Sequence, residues 1–205
     1  MQKTDNERKS FVKRNTNETK IKVEVNLDGK GKNSINTGLP FFDHMIQQLS
    51  KHSLIDIKLN CLGDLQIDSH HTIEDVGWAL GKALSEALGP KKGIKRYSSN
   101  YLPMDECLTR CCIDISGRPW LIWNVFLPSL AIKKIETEIF REFFQSLSQA
   151  AGFTLHIENL YGNNTHHIIE SCFKSLAISI KDAITIDSKN SESIPSTKGT
   201  LSGSD

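Results

Sequence analysis

The chain is organised around a short polar stretch, His70-His71-Thr72-Ile73-Glu74-Asp75. If these residues are helical, His70 and Glu74 lie at positions i and i+4 on one face, and His71 points about 100° away. Neutral imidazole and ionised carboxylate are common ligands of Zn, Mn, Fe, Co and Ni, so the stretch predicts a metal site. The alternative is the capped start of an ordinary helix whose histidines are exposed to solvent.

The same pattern occurs a second time, as His166-His167-Ile168-Ile169-Glu170. Each residue follows its counterpart by 96 positions, from 70 to 166, from 71 to 167 and from 74 to 170. Upstream, His44 and Glu142 occupy matching places, 26 and 24 residues before the two His pairs. The predicted ligands are therefore His44, His70, His71, Glu74, Glu142, His166, His167 and Glu170. Because eight ligands suit two ions with four protein ligands each, we predict a paired metal site in a duplicated chain.

Length and composition limit the class of protein. At 205 residues the chain can form one large domain or two small ones, and the repeat favours two similar halves with one core. The balance of 25 basic and 24 acidic side chains argues against a surface that binds nucleic acid. Five cysteines without zinc-finger spacing are typical of reduced thiols. Since no apolar run is long enough for a membrane span or a signal peptide, we expect a cytoplasmic protein.

Hydrophobic periodicity predicts the same order of elements in each half. In the first half, strands over 20–27 and 34–37 form a hairpin, and a helix over 41–51, a strand over 55–59 and a helix over 70–88 follow. In the second half, strands over 108–115 and 120–127 form a hairpin, and a helix over 136–151, a strand over 154–158 and a helix over 166–183 follow. Paired strands followed by helices predict an α+β fold.

The predicted organisation has four parts. Residues 1–15 are polar and unpatterned, which predicts a flexible N-terminal arm, with an exposed edge strand as the alternative. Residues 16–93 form the first repeat half and residues 94–187 the second. Residues 188–205 form a C-terminal tail that carries a phosphate-binding loop.

Several polar residues outside the His pairs are candidates for binding or catalysis. Arg96, Arg118 and Lys198 lie in three loops near Gly, Pro or Ser, and cations with Ser196 are suitable for binding a phosphate. Each of these cations is also typical of a solvated surface. Glu18, just before the first strand, has the chemistry of a general base, and an exposed strand-end Glu is the alternative.

Seven segments, in order along the chain, resemble the imidazoleglycerol-phosphate dehydratase family of histidine biosynthesis. They are Thr16-Asn17-Glu18-Thr19, Phe42-Asp43-His44-Met45, His70-His71-Thr72-Ile73-Glu74-Asp75, Pro103-Met104-Asp105-Glu106, Ser116-Gly117-Arg118-Pro119, His166-His167-Ile168-Ile169-Glu170 and Pro195-Ser196-Thr197-Lys198-Gly199. The resemblance implies a duplicated α+β fold of the ribosomal-protein-S5-domain-2-like type, with a four-stranded sheet and helices on one face in each half. It also implies a manganese-dependent lyase, assembled from 24 subunits with active sites shared between neighbours.

The resemblance assigns roles to residues of this sequence. The eight predicted ligands would bind two Mn²⁺ per active site, although Glu142 stands where many relatives have His. The expected catalytic residues are Glu18, His71, Glu74, His167 and Glu170, and the expected substrate-binding residues are Glu18, Arg96, Arg118, Lys174, Ser196 and Lys198. Among them, Glu18 is expected to move protons, and the cations and Ser196 to bind the substrate phosphate.

The reaction that the resemblance implies is dehydration of D-erythro-imidazole glycerol phosphate to imidazole acetol phosphate. The hydrogen on the carbon attached to the ring is not acidic enough for a carboxylate alone, so we expect two Mn²⁺ to bind the ring as imidazolate. Glu18 and a metal-bound water would then move protons. The i, i+4 spacing predicts that His70 and Glu74 bind one ion, and His166 and Glu170 the other. His71 and His167 would each cross to the opposite ion.

Two other functions are compatible with parts of the pattern. A binuclear phosphoester hydrolase also needs two metals and phosphate contacts, but the sequence lacks its Asp-rich bridging motifs. A metal-storing or structural oligomer would use the ligands only to hold subunits together and would leave Glu18 without a role. His52 and His156, beside apolar residues, are interpreted as structural histidines.

Overall fold

The structure is a computed structural model that describes residues 8–201. Residues 1–7 of the predicted arm and 202–205 of the predicted tail lie outside this range. The first half contains β1 (Lys9–Asn15), β2 (Thr19–Asn26), β3 (Asn33–Asn36), α1 (Pro40–Ser53), β4 (Asp56–Gly63) and α2 (His70–Leu88). The second half contains β5 (Tyr97–Met104), β6 (Cys107–Asp114), β7 (Trp120–Asn124), β8 (Ala131–Ile132), β9 (Ile135–Glu136), α3 (Ile139–Ala151), β10 (Thr154–Tyr161) and α4 (Thr165–Ala183).

The two halves have the same sheet topology, which confirms the predicted duplicated α+β fold. The strand orders are β1-β2-β4-β3 and β5-β6-β10-β7, and β8 and β9 add a small separate hairpin. In each sheet the first three strands are antiparallel and the last strand is parallel to its neighbour. Along β2, Ile21, Val23 and Val25 are buried and the residues between them are exposed, so only one face of the sheet contributes to the core.

The two predicted hairpins are wrong. β3 pairs in parallel with β4, not with β2, and β7 pairs in parallel with β10, not with β6. The residues between the paired strands include α1 in the first half and α3 in the second, and a helix is the usual crossover between parallel strands. Strand periodicity identifies a strand but not its partner, so proximity in sequence suggested the wrong pairing.

The prediction of a flexible arm over 1–15 is also wrong for residues 9–15. These residues form the edge strand β1, which is antiparallel to β2, so the first half begins before residue 16. The matching edge strand β5 was not predicted at all. The two edge strands contribute few buried residues: Val12 is the one buried residue of β1, and β5 has none. Without an apolar face, neither segment carries the alternating pattern on which the predictions relied.

The helices of the two halves pack against each other between the two sheets. α2 lies on β1 and β2, and α4 lies on β5 and β6. Across the halves, α2 packs on α3 and α1 packs on α4. One hydrophobic core therefore includes residues of both halves, among them Phe42, Phe143 and Phe173. This pairing decides which ligand candidates meet, because each upstream ligand lies on a helix that contacts the His-pair helix of the other half.

All five cysteines are free thiols, as expected from their number and spacing, and four of them are buried. Burial raises the pKa of the Cys61 and Cys111 thiols to about 12, so both stay protonated near neutral pH. Within residues 8–201, we find no helix with the length and apolar character needed to span a membrane.

The contact between α2 and α3 depends on two glycines of α2. A Cβ at Gly77 would lie 2.6 Å from the Phe143 carbonyl oxygen, and a Cβ at Gly81 would lie 2.5 Å from the Leu147 carbonyl oxygen. The Gly81→Ala variant is expected to lower the free energy of unfolding by about 1–3 kcal/mol, because the helices must separate. In a helix that is not packed against another at this position, the same change would stabilise the helix by about 1 kcal/mol. Chemical denaturation measures the difference, and Glu86→Ala at an exposed position of α2 is the control.

Candidate active site

Both His pairs stand at the start of a helix, and a polar side chain caps each start. His70 is the first residue of α2, and its backbone N–H donates to Asp68 Oδ1 at 2.7 Å. The Asn164 side chain accepts hydrogen bonds from the backbone N–H groups of His166 and His167 at the start of α4. The caps satisfy backbone donors that have no partner within a helix, and they fix the place from which each imidazole projects.

Three predicted ligands form one cluster across the two halves. The ligand atoms of His44 on α1 and of His166 and Glu170 on α4 all lie within 4.8 Å of one another. Glu170 Oε2 is 2.9 Å from His166 Nε2 and 3.5 Å from His44 Nε2. Two imidazoles and a carboxylate around one point are a suitable set for a divalent transition metal. The cluster is the only such group of three among residues 8–201.

The Glu170 carboxylate is the buried member of this cluster. Its side chain is 6% exposed, and Lys174 Nζ donates to Oε1 at 2.6 Å. Burial acts to raise the pKa of Glu170, but the hydrogen bonds from Lys174 and His166 outweigh it and lower the pKa below its usual value. Glu170 is therefore held as a carboxylate that faces both imidazoles. Lys174, a predicted phosphate ligand, lies beside the cluster and pairs with Glu170.

The corresponding ligand candidates on α2 and α3 lie farther from one another than the three residues of this cluster. His70 Nε2 lies 3.4 Å from Glu74 Oε2 on the same face of α2. Glu142, on α3, lines the same pocket as His70, and its Oε1 accepts a hydrogen bond from the adjacent Arg141. These three residues correspond to the three-residue cluster described above. In each set, the upstream ligand candidate of one half lies with the first His and the Glu of the His pair in the other half. Both combinations follow from the packing of α1 on α4 and of α2 on α3.

The second histidine of each pair points elsewhere, toward carboxylates on the loops. His71 Nδ1 lies 3.0 Å from Asp64 Oδ2, and its Nε2 lies 3.6 Å from Glu18 Oε1. The hydrogen bond with Asp64 raises the pKa of His71 and outweighs desolvation, which acts to lower it, and the nearby Glu18 charge raises the pKa further. Within one chain, His71 is therefore placed beside the predicted general base and not within the three-residue cluster.

His167 has the same kind of environment in the second half. Its Nδ1 lies 2.7 Å from Glu106 Oε2, and its Nε2 lies 3.7 Å from Asp105 Oδ2. The His167 hydrogen bond and the backbone N–H of Asn164 lower the pKa of Glu106 to about 2. No role was predicted from the sequence for Asp64, Asp105 or Glu106. A signal existed for the last two, which lie in one of the seven recognised segments.

The predicted phosphate-binding residues mostly surround the C-terminal end of β6. Arg96 donates to Asp114 Oδ1 at 2.7 Å and to the Pro195 carbonyl at 2.8 Å, next to Ser196. Arg118 Nη2 lies 3.9 Å from the Asp114 carboxylate, and the Lys198 backbone N–H donates to the Ser196 hydroxyl. Asp114 thus holds Arg96 in place, and the pKa of this guanidinium is raised mainly by that hydrogen bond. Asp114 was not among the residues predicted from the sequence.

This cluster lies far from the second His pair of the same chain. The Arg96 backbone N–H donates to the carbonyl of Ala183, the last residue of α4, whereas His166 and His167 stand at the start of that helix. A helix of 19 residues is about 28 Å long. A small substrate cannot bridge that distance, so Arg96 and His167 of one chain do not serve one bound molecule.

The remaining two histidines are outside these clusters. His52 Nε2 is 3.1 Å from Gln48 Oε1, and burial followed by the Lys174 charge lowers the pKa of His52, as suits a neutral structural residue. His156 was interpreted as a structural histidine, and the structure places it exposed on the outer face of its sheet. Its apolar neighbours Leu155 and Ile157 point to the opposite face.

Comparisons with known proteins agree on one family. The family described as Imidazoleglycerol-phosphate dehydratase matches residues 37–180. A protein of that name from Sinorhizobium fredii is 53% identical over 190 residues, 93% of this chain and 94% of the relative. One from Ruegeria pomeroyi is 52% identical over 194 residues, 95% of this chain and 100% of the relative. The crystal structure of imidazoleglycerol-phosphate dehydratase from Staphylococcus aureus superposes with a TM-score of 0.80 at 34% identity, covering 87% of this chain and 99% of that one.

Proposed function

Because the chain belongs to the imidazoleglycerol-phosphate dehydratase family of hydro-lyases, which serves histidine biosynthesis, we propose that it dehydrates D-erythro-imidazole glycerol phosphate to imidazole acetol phosphate at a site with two Mn²⁺. The observation that carries the metal dependence is the cluster of His44, His166 and Glu170, whose ligand atoms lie within 4.8 Å of one another. Three protein ligands leave coordination positions open for a substrate.

Each ion is assigned to ligands from both halves of the chain. The proposed sets are His44, His166 and Glu170 for one ion, and His70, Glu74 and Glu142 for the other, with His71 and His167 each completing a set. When bound, Mn²⁺ supplies Lewis acidity toward the nitrogens of the imidazole ring, which makes the neighbouring carbon-bound hydrogen removable. Glu142 in place of a histidine gives the second set an additional anionic oxygen. That set is therefore expected to be the harder and more anionic of the two.

Glu18 is assigned to proton transfer. Its carboxylate lies 3.6 Å from His71 Nε2, and its side chain is 52% exposed, so a bound substrate can reach it. The turn that carries Glu18 is tied to the end of β4, because the Asp64 backbone N–H donates to the Glu18 carbonyl. A carboxylate held beside a metal-binding imidazole is well placed to take a proton from one atom of the substrate and return it to another.

The substrate phosphate is assigned to Arg96, Arg118, Ser196 and Lys198, with Lys174 as a further contact. Arg118 is the more available guanidinium, since its side chain is 60% exposed while Arg96 is engaged by Asp114. The length of α4 separates this cluster from the second His pair of the same chain. We therefore assign each active site to neighbouring subunits of a homo-oligomer, 24 in number as the family resemblance implies.

The proposed partners are this small phosphorylated imidazole and further copies of the chain, without nucleic acid or membrane. Near-equal numbers of acidic and basic residues support the exclusion of nucleic acid. The five free thiols support a reducing compartment, and we assign the protein to the cytoplasm.

The test is dehydration of imidazole glycerol phosphate by protein stripped of metal with a chelator, before and after addition of Mn²⁺. Turnover is expected only with Mn²⁺, in a particle whose mass, measured by light scattering, is many times that of one chain. Mg²⁺ at the same concentration is the control, because it binds imidazole ligands poorly. Full Mn²⁺ loading of the assembled protein without turnover would reject the dehydratase assignment and leave the ions a structural role.

A further inference from the structure

In each His pair, the second histidine contacts a carboxylate that is outside the proposed ligand sets, and both contacts have the same geometry at the imidazole. Asp64 Oδ2 lies 3.0 Å from His71 Nδ1, and Glu106 Oε2 lies 2.7 Å from His167 Nδ1. An ionised carboxylate can only accept a hydrogen bond, so Nδ1 must carry the proton in both rings. In a neutral imidazole the lone pair is then on Nε2. Both second histidines are therefore held in the tautomer that offers Nε2 to a ligand.

The two contacts come from different loops, although the halves share one topology. Asp64 directly follows β4, and the residue that directly follows the matching strand β10 is Gly162, which has no side chain. Glu106 stands directly before β6, and the matching residue before β2 is Glu18. The second half thus uses the position of Glu106 for a contact that the first half makes with Asp64. The same contact built twice from non-equivalent positions indicates that the contact itself is needed.

The Glu106 carboxylate is also anchored by backbone near its histidine, and the main chain of Asp64 is fixed beside His71. Glu106 Oε1 accepts hydrogen bonds from the backbone N–H groups of Asn163 and Asn164, at the start of α4, while Oε2 contacts His167. The Asp64 backbone N–H donates to the Glu18 carbonyl, and the Asp64 side chain is 13% exposed. Glu106 is therefore held by both of its oxygens, and Asp64 is a largely buried carboxylate on a fixed main chain, so each histidine ring has a defined partner.

We propose that Asp64 and Glu106 are positioning residues that hold His71 and His167 with Nε2 directed at the metal ions. Of the two equivalent glutamates, Glu106 has this positioning role and Glu18 remains available for proton transfer. The inference rests on the metal assignment in the proposed function. Carboxylates that accept from a metal-binding imidazole typically improve metal affinity about 10–100-fold. Glu18 lies near Nε2 of its histidine and Glu106 near Nδ1, as this division of roles requires.

The test measures Mn²⁺ affinity of the full-length assembled protein by the electron paramagnetic resonance signal of free Mn²⁺. Asp64→Asn and Glu106→Gln are each expected to weaken binding about 10–100-fold for one of the two ions. Glu106→Asp retains a carboxylate and should recover part of the affinity. Glu86→Gln removes an exposed carboxylate of α2 that forms an ion pair with Lys82, and this variant serves as the control. If both Asp64→Asn and Glu106→Gln bind two Mn²⁺ within about twofold of the unmodified protein, the proposal is wrong.

The ¹⁵N chemical shifts of the histidines in metal-free protein distinguish the proposed positioning role from a role in loop stability alone. The proposal expects Nδ1-protonated His71 and His167 in the unmodified chain and loss of that tautomer at the substituted site. Unchanged tautomers in both variants would overturn it even if the unfolding temperature falls. Should Glu106→Gln fail to fold, Asp64→Asn alone decides by the same two measurements. Turnover of the unmodified protein is recorded separately, so failure of the dehydratase assignment is visible without affecting the comparison of affinities.

Discussion

Replacing Glu170 with Gln is expected to remove one Mn²⁺ per chain and to reduce turnover by at least about 10²-fold. Oε2 of this carboxylate is shared between His166 and His44 at 2.9 and 3.5 Å, and no other carboxylate completes that three-residue cluster among the described residues. An amide has no negative charge to offer a divalent cation and competes with water poorly. Metal analysis of the purified variant and a dehydration assay with added Mn²⁺ measure the two effects.

The matched control for that substitution is Lys174→Met. Glu170 and Lys174 form a pair at 2.6 Å, so either change breaks the same buried contact and is expected to lower stability. Lys174→Met nevertheless retains every proposed metal ligand and should bind two Mn²⁺ per chain, even if loss of a phosphate contact slows the reaction. A Glu170→Gln protein that still binds two Mn²⁺ with unchanged affinity would remove this carboxylate from the ligand set.

The Glu18→Gln variant is expected to lose about 10²–10⁴-fold in turnover while it still binds two Mn²⁺ and assembles normally. The glutamine keeps the size and the hydrogen-bonding capacity of the side chain but cannot accept a proton. Glu18 is half exposed and is not one of the buried residues, so we expect the fold not to depend on its charge. The measurements are the rate with saturating substrate and Mn²⁺, the metal content and the particle mass.

A structural role for Glu18 would give a different set of results. Turnover equal to that of the unmodified protein would exclude Glu18 from proton transfer, and it would favour the interpretation in which the metals only hold subunits together. Loss of metal together with turnover would instead place Glu18 among the ligands. Glu86→Gln, which removes a carboxylate of similar exposure from α2, should retain full activity and controls for the change in net charge.

The sequence was most informative where chemistry and periodicity coincide. The repeat of a His pair with a Glu four residues after its first His placed six ligand candidates on two helices, and His44 and Glu142 were found because the same spacing recurs upstream. Helical geometry then required His70 with Glu74, and His166 with Glu170, to face the same way, and both pairs are in contact. Such contacts within one element depend only on local backbone geometry.

Contacts between distant elements could not be predicted in this way. The sequence does not contain a signal that α1 packs on α4, and therefore that His44 meets Glu170 of the other half. Asp64 and Glu106 were missed for the same reason: each belongs to a loop and contacts a histidine on a helix that it approaches only in the folded chain. The partners of β3 and β7 were predicted wrongly because a strand pattern reports which face is buried, not which strand lies beside it.

By itself, then, the sequence determined the duplication, the α+β class, the residue types of a candidate metal site and the family to which the chain belongs. Only the tertiary structure decided how the ligand candidates are grouped, which carboxylates contact His71 and His167, and that most of the length of α4 separates Arg96 from the second His pair. The physical reason is that side-chain types and short-range periodicity are properties of the chain, whereas grouping depends on helix packing. That packing is fixed by close contacts such as those of Gly77 and Gly81 with the backbone of α3.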